Sequence, residues 1–175
     1  MINDSTNRYG TISRVFHWGM ALLIGWQLLK FFDRIADGEH WVGQTLVPWH
    51  ISIGTLLLVL VAARLLWVAS QRRHRPQSTG SPAAAFPAKA GHFLLYAGMV
   101  LMPLTGISLM IGNGYGLSAF GLQLAPADLD IPWLAAIGTL HSPIAWLLLI
   151  MIVGHIGMAL LHRFVKRDDV MARMW

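Results

Sequence analysis

The stretch LHSPIAWLLLIMIVGHIGMALLH, residues 140–162, decides the fold. It is an apolar run long enough (about 20 residues) for a helix rising 1.5 Å per residue to cross a hydrocarbon core of about 30 Å. Yet it carries His141 and His155, fourteen positions apart. An ionisable side chain inside a membrane is costly and is kept for function. Fourteen residues at about 100° each end about 40° short of four full turns, so both histidines share one helix face. Along the axis they sit about 21 Å apart.

The rest of the chain reads the same way. Of its 175 residues, 55% are hydrophobic and 12% charged, and the mean hydropathy is +0.56. That is the composition of a membrane protein. The length suits a single domain over residues 1–175. Cysteine is absent, which excludes disulfides, iron–sulfur clusters and thiolate-held zinc. Apolar runs at about 13–32, 48–69, 90–112 and 137–163 predict an all-α membrane protein, a bundle of four transmembrane helices. The first run is too long for the apolar part of a signal peptide, and no small-residue cleavage site follows it, so it reads as a retained helix.

A net charge of +5 invites a nucleic-acid reading, but the charges are sorted by loop. Arg8 and Arg14 precede the first run. Arg72, Arg73, Arg75 and Lys89 fall between the second and third, and Arg163, Lys166, Arg167 and Arg173 follow the fourth. The first loop has Lys30 and Arg34 beside Asp33, Asp37 and Glu39, and residues 113–136 have no Lys or Arg. The positive-inside rule then places both termini in the cytoplasm. Trp41, Trp49 and Trp133 belong to the outer interface and Trp67 to the inner one. The Pro- and Ser-rich segment QRRHRPQSTGSPAAAFP, residues 71–87, reads as a connection.

Four histidines lie in apolar runs: His17, His50, His141 and His155. Alternating helix direction pairs them by depth, His50 with His141 towards the outside and His17 with His155 towards the inside. A haem b held by two imidazoles needs ligands on opposite faces of its ring at equal depth, as facing helices of a bundle supply. The constellation provides that twice, for two haems b stacked across the membrane. Zinc would need its ligands gathered at one point with a carboxylate or further histidine nearby, which a 21 Å separation denies. A lone intramembrane histidine more often bonds a neighbouring helix or relays protons, and a small transporter using such a relay is the reading from a different class. At the inner pair the estimated depths differ by about 8 Å. His162 fits the depth better than His155 and the phase slightly worse, so both remain open on spacing alone.

Arg64, fourteen residues after His50, shares its helix face near the inner pair. It is a natural counter-charge to haem propionates, with Arg14 a possible second; the alternative is snorkelling to the headgroups. Gly54, Gly138, Gly154 and Gly157 stand near the paired histidines and suit either a close porphyrin or close helix packing. His92 opens the third run, where it suits a propionate, a quinone or solvent.

The segments RYGTISRVFHW, PWHISIGTLLLVLVAARLLW, AGHFLLYAGMVLMPLTG, FG at 120–121, LHSPIAW and VGHIGMALLHRFVKRDDVMARM together resemble the bacterial cytochrome b561 family over nearly the whole chain. The resemblance implies a diheme cytochrome b of the bacterial inner membrane. It implies His17 with His155 and His50 with His141 as axial ligands to the two haem irons, and it marks His92 as a further family-like histidine. One branch of the family oxidises superoxide at the periplasmic face and reduces ubiquinone. By that resemblance, the expected function is electron transfer from a periplasmic donor, superoxide-like, to membrane ubiquinone, and our own reading puts the quinone near Arg14, Arg64 and His92. Lys30, Arg34 and His40 would then attract an anion at the outer mouth. The alternative is a cytochrome b anchor subunit passing electrons between a partner oxidoreductase and the quinone pool. Membrane lipid and quinone are the expected partners, with nucleic acid excluded.

Overall fold

The computed structural model describes residues 1–34, 40–76 and 82–175. Helix α1 spans Thr11–Leu28 and passes into a 3-10 stretch, Leu29–Arg34. A short α2, Trp41–Thr45, and a 3-10 turn, Val47–Trp49, lead into α3, His50–Ser70. Then come α4, Pro82–Gly112, the strands β1, Leu117–Ala119, and β2, Leu122–Ala125, and α5, Pro132–Gly138. Helix α6, His141–Leu161, precedes the tail. Asp37, Glu39 and the Arg34 side chain lie outside the described residues, as does the middle of the 71–87 connection.

Among the described residues, three segments are long and apolar enough to cross a membrane: Trp41–Ser70, Ala85–Gly112 and Pro132–Lys166. Helix α1 is a further long helix that does not reach that apolarity, because Ser13, Arg14, His17 and Gln27 interrupt it. In space α1 packs on α3, α3 on α4, and α4 on both α5 and α6. Apolar side chains turned away from these contacts are bare, among them Leu22, Val59, Leu66, Phe93, Ile150 and Val153. That is the surface of a bundle solvated by lipid rather than water.

Helix limits depart from the sequence reading in three places. The last run divides in two: Pro143, third residue of α6, has no N–H to return to Thr139, and the chain turns between α5 and α6 there. Helix α4 begins eight residues before the expected 90 because AAAFPAKA is a strong helix former despite its proline. The third loop, residues 113–136, to which the sequence reading assigned no secondary structure, holds a hairpin. Phe120 and Gly121 both adopt positive φ, 51° and 80°, the two-residue turn that matches strand twist. The Phe120 N–H donates to Ser52 Oγ at 3.0 Å, docking the hairpin on α3.

The ends of the bundle are distinct. At one, which we call the terminal end, Tyr9 N–H donates to the Arg173 carbonyl, Arg75 pairs with Asp4 at 3.2 Å, and Trp67 Nε1 donates to Ser13 Oγ at 2.9 Å. The opposite, hairpin end carries α2, the β-hairpin, α5 and the exposed Trp41, Trp49 and Trp133. Between them lies the core of Met20, Ile53, Leu57 and Val61, with Leu23, Tyr96, Met99 and Val100 against it. Ile53, Leu57 and Val61 continue the His50 stripe down α3 to Arg64 at helical spacing, so one face of α3 carries a polar group at each end and apolar packing between.

Candidate functional site

Two histidine pairs face each other across the bundle, one at each end. At the hairpin end, His50 at the start of α3 meets His141 at the start of α6, ring centres 6.1 Å apart and planes at 87°. At the terminal end, His17 of α1 meets His155 of α6 at 6.2 Å and 61°. Two imidazoles on opposite sides of one iron put their ring centres about 6.4 Å apart, from two metal–nitrogen bonds of about 2.0 Å and about 1.2 Å from each nitrogen to its ring centre. Both pairs come within a few tenths of an ångström of that spacing.

The surroundings fit the same group. A cavity of about 760 Å³ lies beside His50 and His141, walled by Met102, Gly54, Gly106, Leu148 and Gln27, with Lys30 on its lining. That volume is within the range of roughly 300–1,000 Å³ typical of cofactor pockets. Gln27 Nε2 donates to the His50 carbonyl at 2.9 Å, while its Oε1 is buried without a partner. His141 Nδ1 lies 3.0 Å from the Met102 carbonyl oxygen and 3.2 Å from Thr105 Oγ1. Both can accept, which leaves the hydrogen on Nδ1 and the Nε2 lone pair free to coordinate.

At the terminal end Arg64 turns into the bundle. Its guanidinium stands 5.3 Å from the Tyr96 ring centre, 3.9 Å from Met20 Sδ and 3.5 Å from His17 Nδ1. Among the described residues no carboxylate pairs with it. Among the described residues, Arg14, one turn before His17, reaches Thr11 Oγ1 at 3.4 Å, and its buried Nε has no partner. Two cations wanting an anion beside a histidine pair suit the propionates of a haem.

Other expected residues are placed as follows. His92 is exposed on α4 and its ring centre lies 5.5 Å from that of His155. His162 points elsewhere: its Nδ1 meets Asp168 Oδ2 at 2.6 Å, and that hydrogen bond holds the Asp168 carboxyl below the usual carboxylate range. His40 caps α2, accepting from Gly43 N–H at 3.1 Å. Gly138 serves helix packing, since a Cβ there would stand 2.5 Å from Leu109 Cα on α4. Gly154 and Gly157 face open space. Sequence reasoning passed over Gln27, Thr105 and Gly106. The only signal for the last two was the short polar break in MVLMPLTG.

An apolar helical bundle that pairs histidines from facing helices at opposite ends is the scaffold of a membrane cytochrome b. The comparisons with known proteins agree. A family model described as prokaryotic cytochrome b561 matches residues 8–175, and the chain belongs to that family of membrane electron-transfer cytochromes, whose cofactor is haem b. It is similar to Cytochrome b561 homolog 2 of Escherichia coli K12, at 33% identity over 98% of this chain and 93% of that protein. Cytochrome b561 homolog 1 of the same bacterium is 30% identical over 96% and 97%. The Probable superoxide oxidase CybB of Yersinia pestis is 25% identical over 95% of both chains.

Proposed function

We propose that this protein is a diheme cytochrome b that carries electrons across the bacterial inner membrane, from a donor on the periplasmic side to ubiquinone. The observation that carries the reading is the pair of histidine couples, 6.1 and 6.2 Å between ring centres, at opposite ends of one apolar bundle. Haem b held between each couple would supply reversible one-electron chemistry. The protein's own part is spacing, burial and charge. His50 and His141 hold one ring, His17 and His155 the other, and Met20, Leu57, Val61 and Leu148 exclude water between them.

Orientation follows from lysine and arginine, which cluster at the terminal end; both termini are cytoplasmic and the hairpin end is periplasmic. Lys30, on the cavity lining beside His50, favours an anionic donor. Superoxide is the donor suggested by the similarity to the Yersinia protein. Each superoxide gives up one electron and leaves as dioxygen; two electrons and two protons convert a quinone to its quinol. The quinone is placed beside Arg14, Arg64 and His92, because His92 is open to the lipid and touches His155. The test is purified protein with superoxide and a ubiquinone analogue. Quinol formation matched to superoxide loss supports the reading; reduction only when a partner oxidoreductase is added would make the chain an anchor subunit instead.

A further inference from the structure

Helix α4 builds a seat for one histidine of the four. The Met102 carbonyl and Thr105 Oγ1 both face His141 Nδ1, at 3.0 and 3.2 Å. Thr105 is 4% exposed. Its hydroxyl lies 2.8 Å from the Leu101 carbonyl and 3.0 Å from the Met102 carbonyl. The hydroxyl hydrogen goes to one of these, so an oxygen lone pair is left for the imidazole. One residue on, Gly106 has no side chain where a Cβ would stand 3.0 Å from His141 Cε1 and 3.2 Å from Nδ1. Both distances are tighter than ordinary packing, so a side chain at residue 106 would press the His141 ring aside by a few tenths of an ångström. Near His17 a polar neighbour of Nδ1 is instead a cation, Arg64, at 3.5 Å.

We propose that Thr105 and Gly106 are positioning residues for the hairpin-end haem: Thr105 fixes the tautomer of His141, Gly106 fixes its ring plane, and together they hold that haem's midpoint potential down. Hydrogen bonds accepted from a ligand imidazole make it a stronger electron donor to its metal, and a stronger donor favours the ferric state. A positive group beside the other pair acts in the opposite sense. The resulting order, lower at the hairpin end and higher at the terminal end, favours flow in the proposed direction. The inference rests on the reading of His50 and His141 as a haem-binding pair.

The test is a redox titration with low-temperature EPR of Thr105→Val, Thr105→Ser and Gly106→Ala beside the parent, with haem content measured for each. The hairpin-end signal is assigned as the one lost in His141→Ala. Thr105→Val should raise that midpoint by at least a threefold change in the ferric/ferrous ratio, roughly 28 mV, and leave the other in place, while Thr105→Ser restores it. Gly106→Ala should shift the largest g value of the same signal, which reports the angle between the two imidazole planes. If Thr105→Val loses the hairpin-end haem and Thr105→Ser keeps it, the hydroxyl is again the determinant. Unchanged midpoints with full haem, or Ser behaving as Val, overturn the role of Thr105. An unchanged g value overturns that of Gly106. Two full haems in His141→Ala would instead sink the ligand reading beneath it.

Discussion

The rings of His17 and His155 lie 6.2 Å apart although helix counting puts their depths about 8 Å out of step. Counted from the helix ends the offset disappears, since α1 starts six residues before His17 and α6 ends six residues after His155, while the His162 ring turns to Asp168. The expected consequence is clear. His155→Ala should lose one haem per chain and His162→Ala none, read by pyridine haemochrome against protein. Loss in His162→Ala with two haems in His155→Ala would reverse the assignment.

Arg64 gives a charge test. Its guanidinium faces inward at 3.5 Å from His17 Nδ1 rather than out to headgroups. Replacing it with neutral Gln leaves propionate charge uncompensated, which favours ferric iron, so the terminal-end midpoint should fall. Every 1.4 kcal/mol of lost differential stabilisation lowers it by about 59 mV. The hairpin-end midpoint should stay. Two unchanged midpoints with haem intact would remove Arg64 from the cofactor's surroundings.

Much of this was legible in the sequence because membrane helices obey strong rules. Apolar runs gave the long helices, and a spacing of fourteen put His141 and His155 on one face of α6. What spacing could not reach was lateral contact. His162 was a fair rival until Asp168, six residues away, was seen to take its ring. Thr105 and Gly106 were passed over because their importance comes from His141, thirty-six and thirty-five positions on, across a helix interface. The hairpin escaped because its turn depends on Phe120 adopting a positive φ that few bulky residues adopt.

Glycine at the α4–α5 contact should prove structural. A Cβ at Gly138 would run into the Leu109 backbone, and one at Gly112 into the backbone of Ala135. Gly138→Ala should cost about 1–3 kcal/mol in reversible detergent unfolding. Gly157→Ala, where nothing stands within 4 Å, should change stability little. Equal stability for both would show that α5 does not pack on α4 as described.

Lys30 supplies a kinetic test of the donor's charge. With an anionic donor, Lys30→Gln should slow electron entry several-fold at low ionic strength, and the difference should shrink in high salt as screening shortens the field's reach. Stopped-flow reduction at two salt concentrations decides it. The same slowing at both would mean a local structural effect instead of attraction.

The central claim is that each histidine pair holds one haem b. Its most direct measurement is the haem-to-protein ratio and the oxidised and reduced absorption spectra of the parent, His50→Ala and His17→Ala proteins. The account requires about two low-spin haems b per chain in the parent, with sharp reduced α-bands. Each variant should keep about one, with the two variants losing spectrally different components. A parent without those bands, or both variants losing the same component, would contradict it.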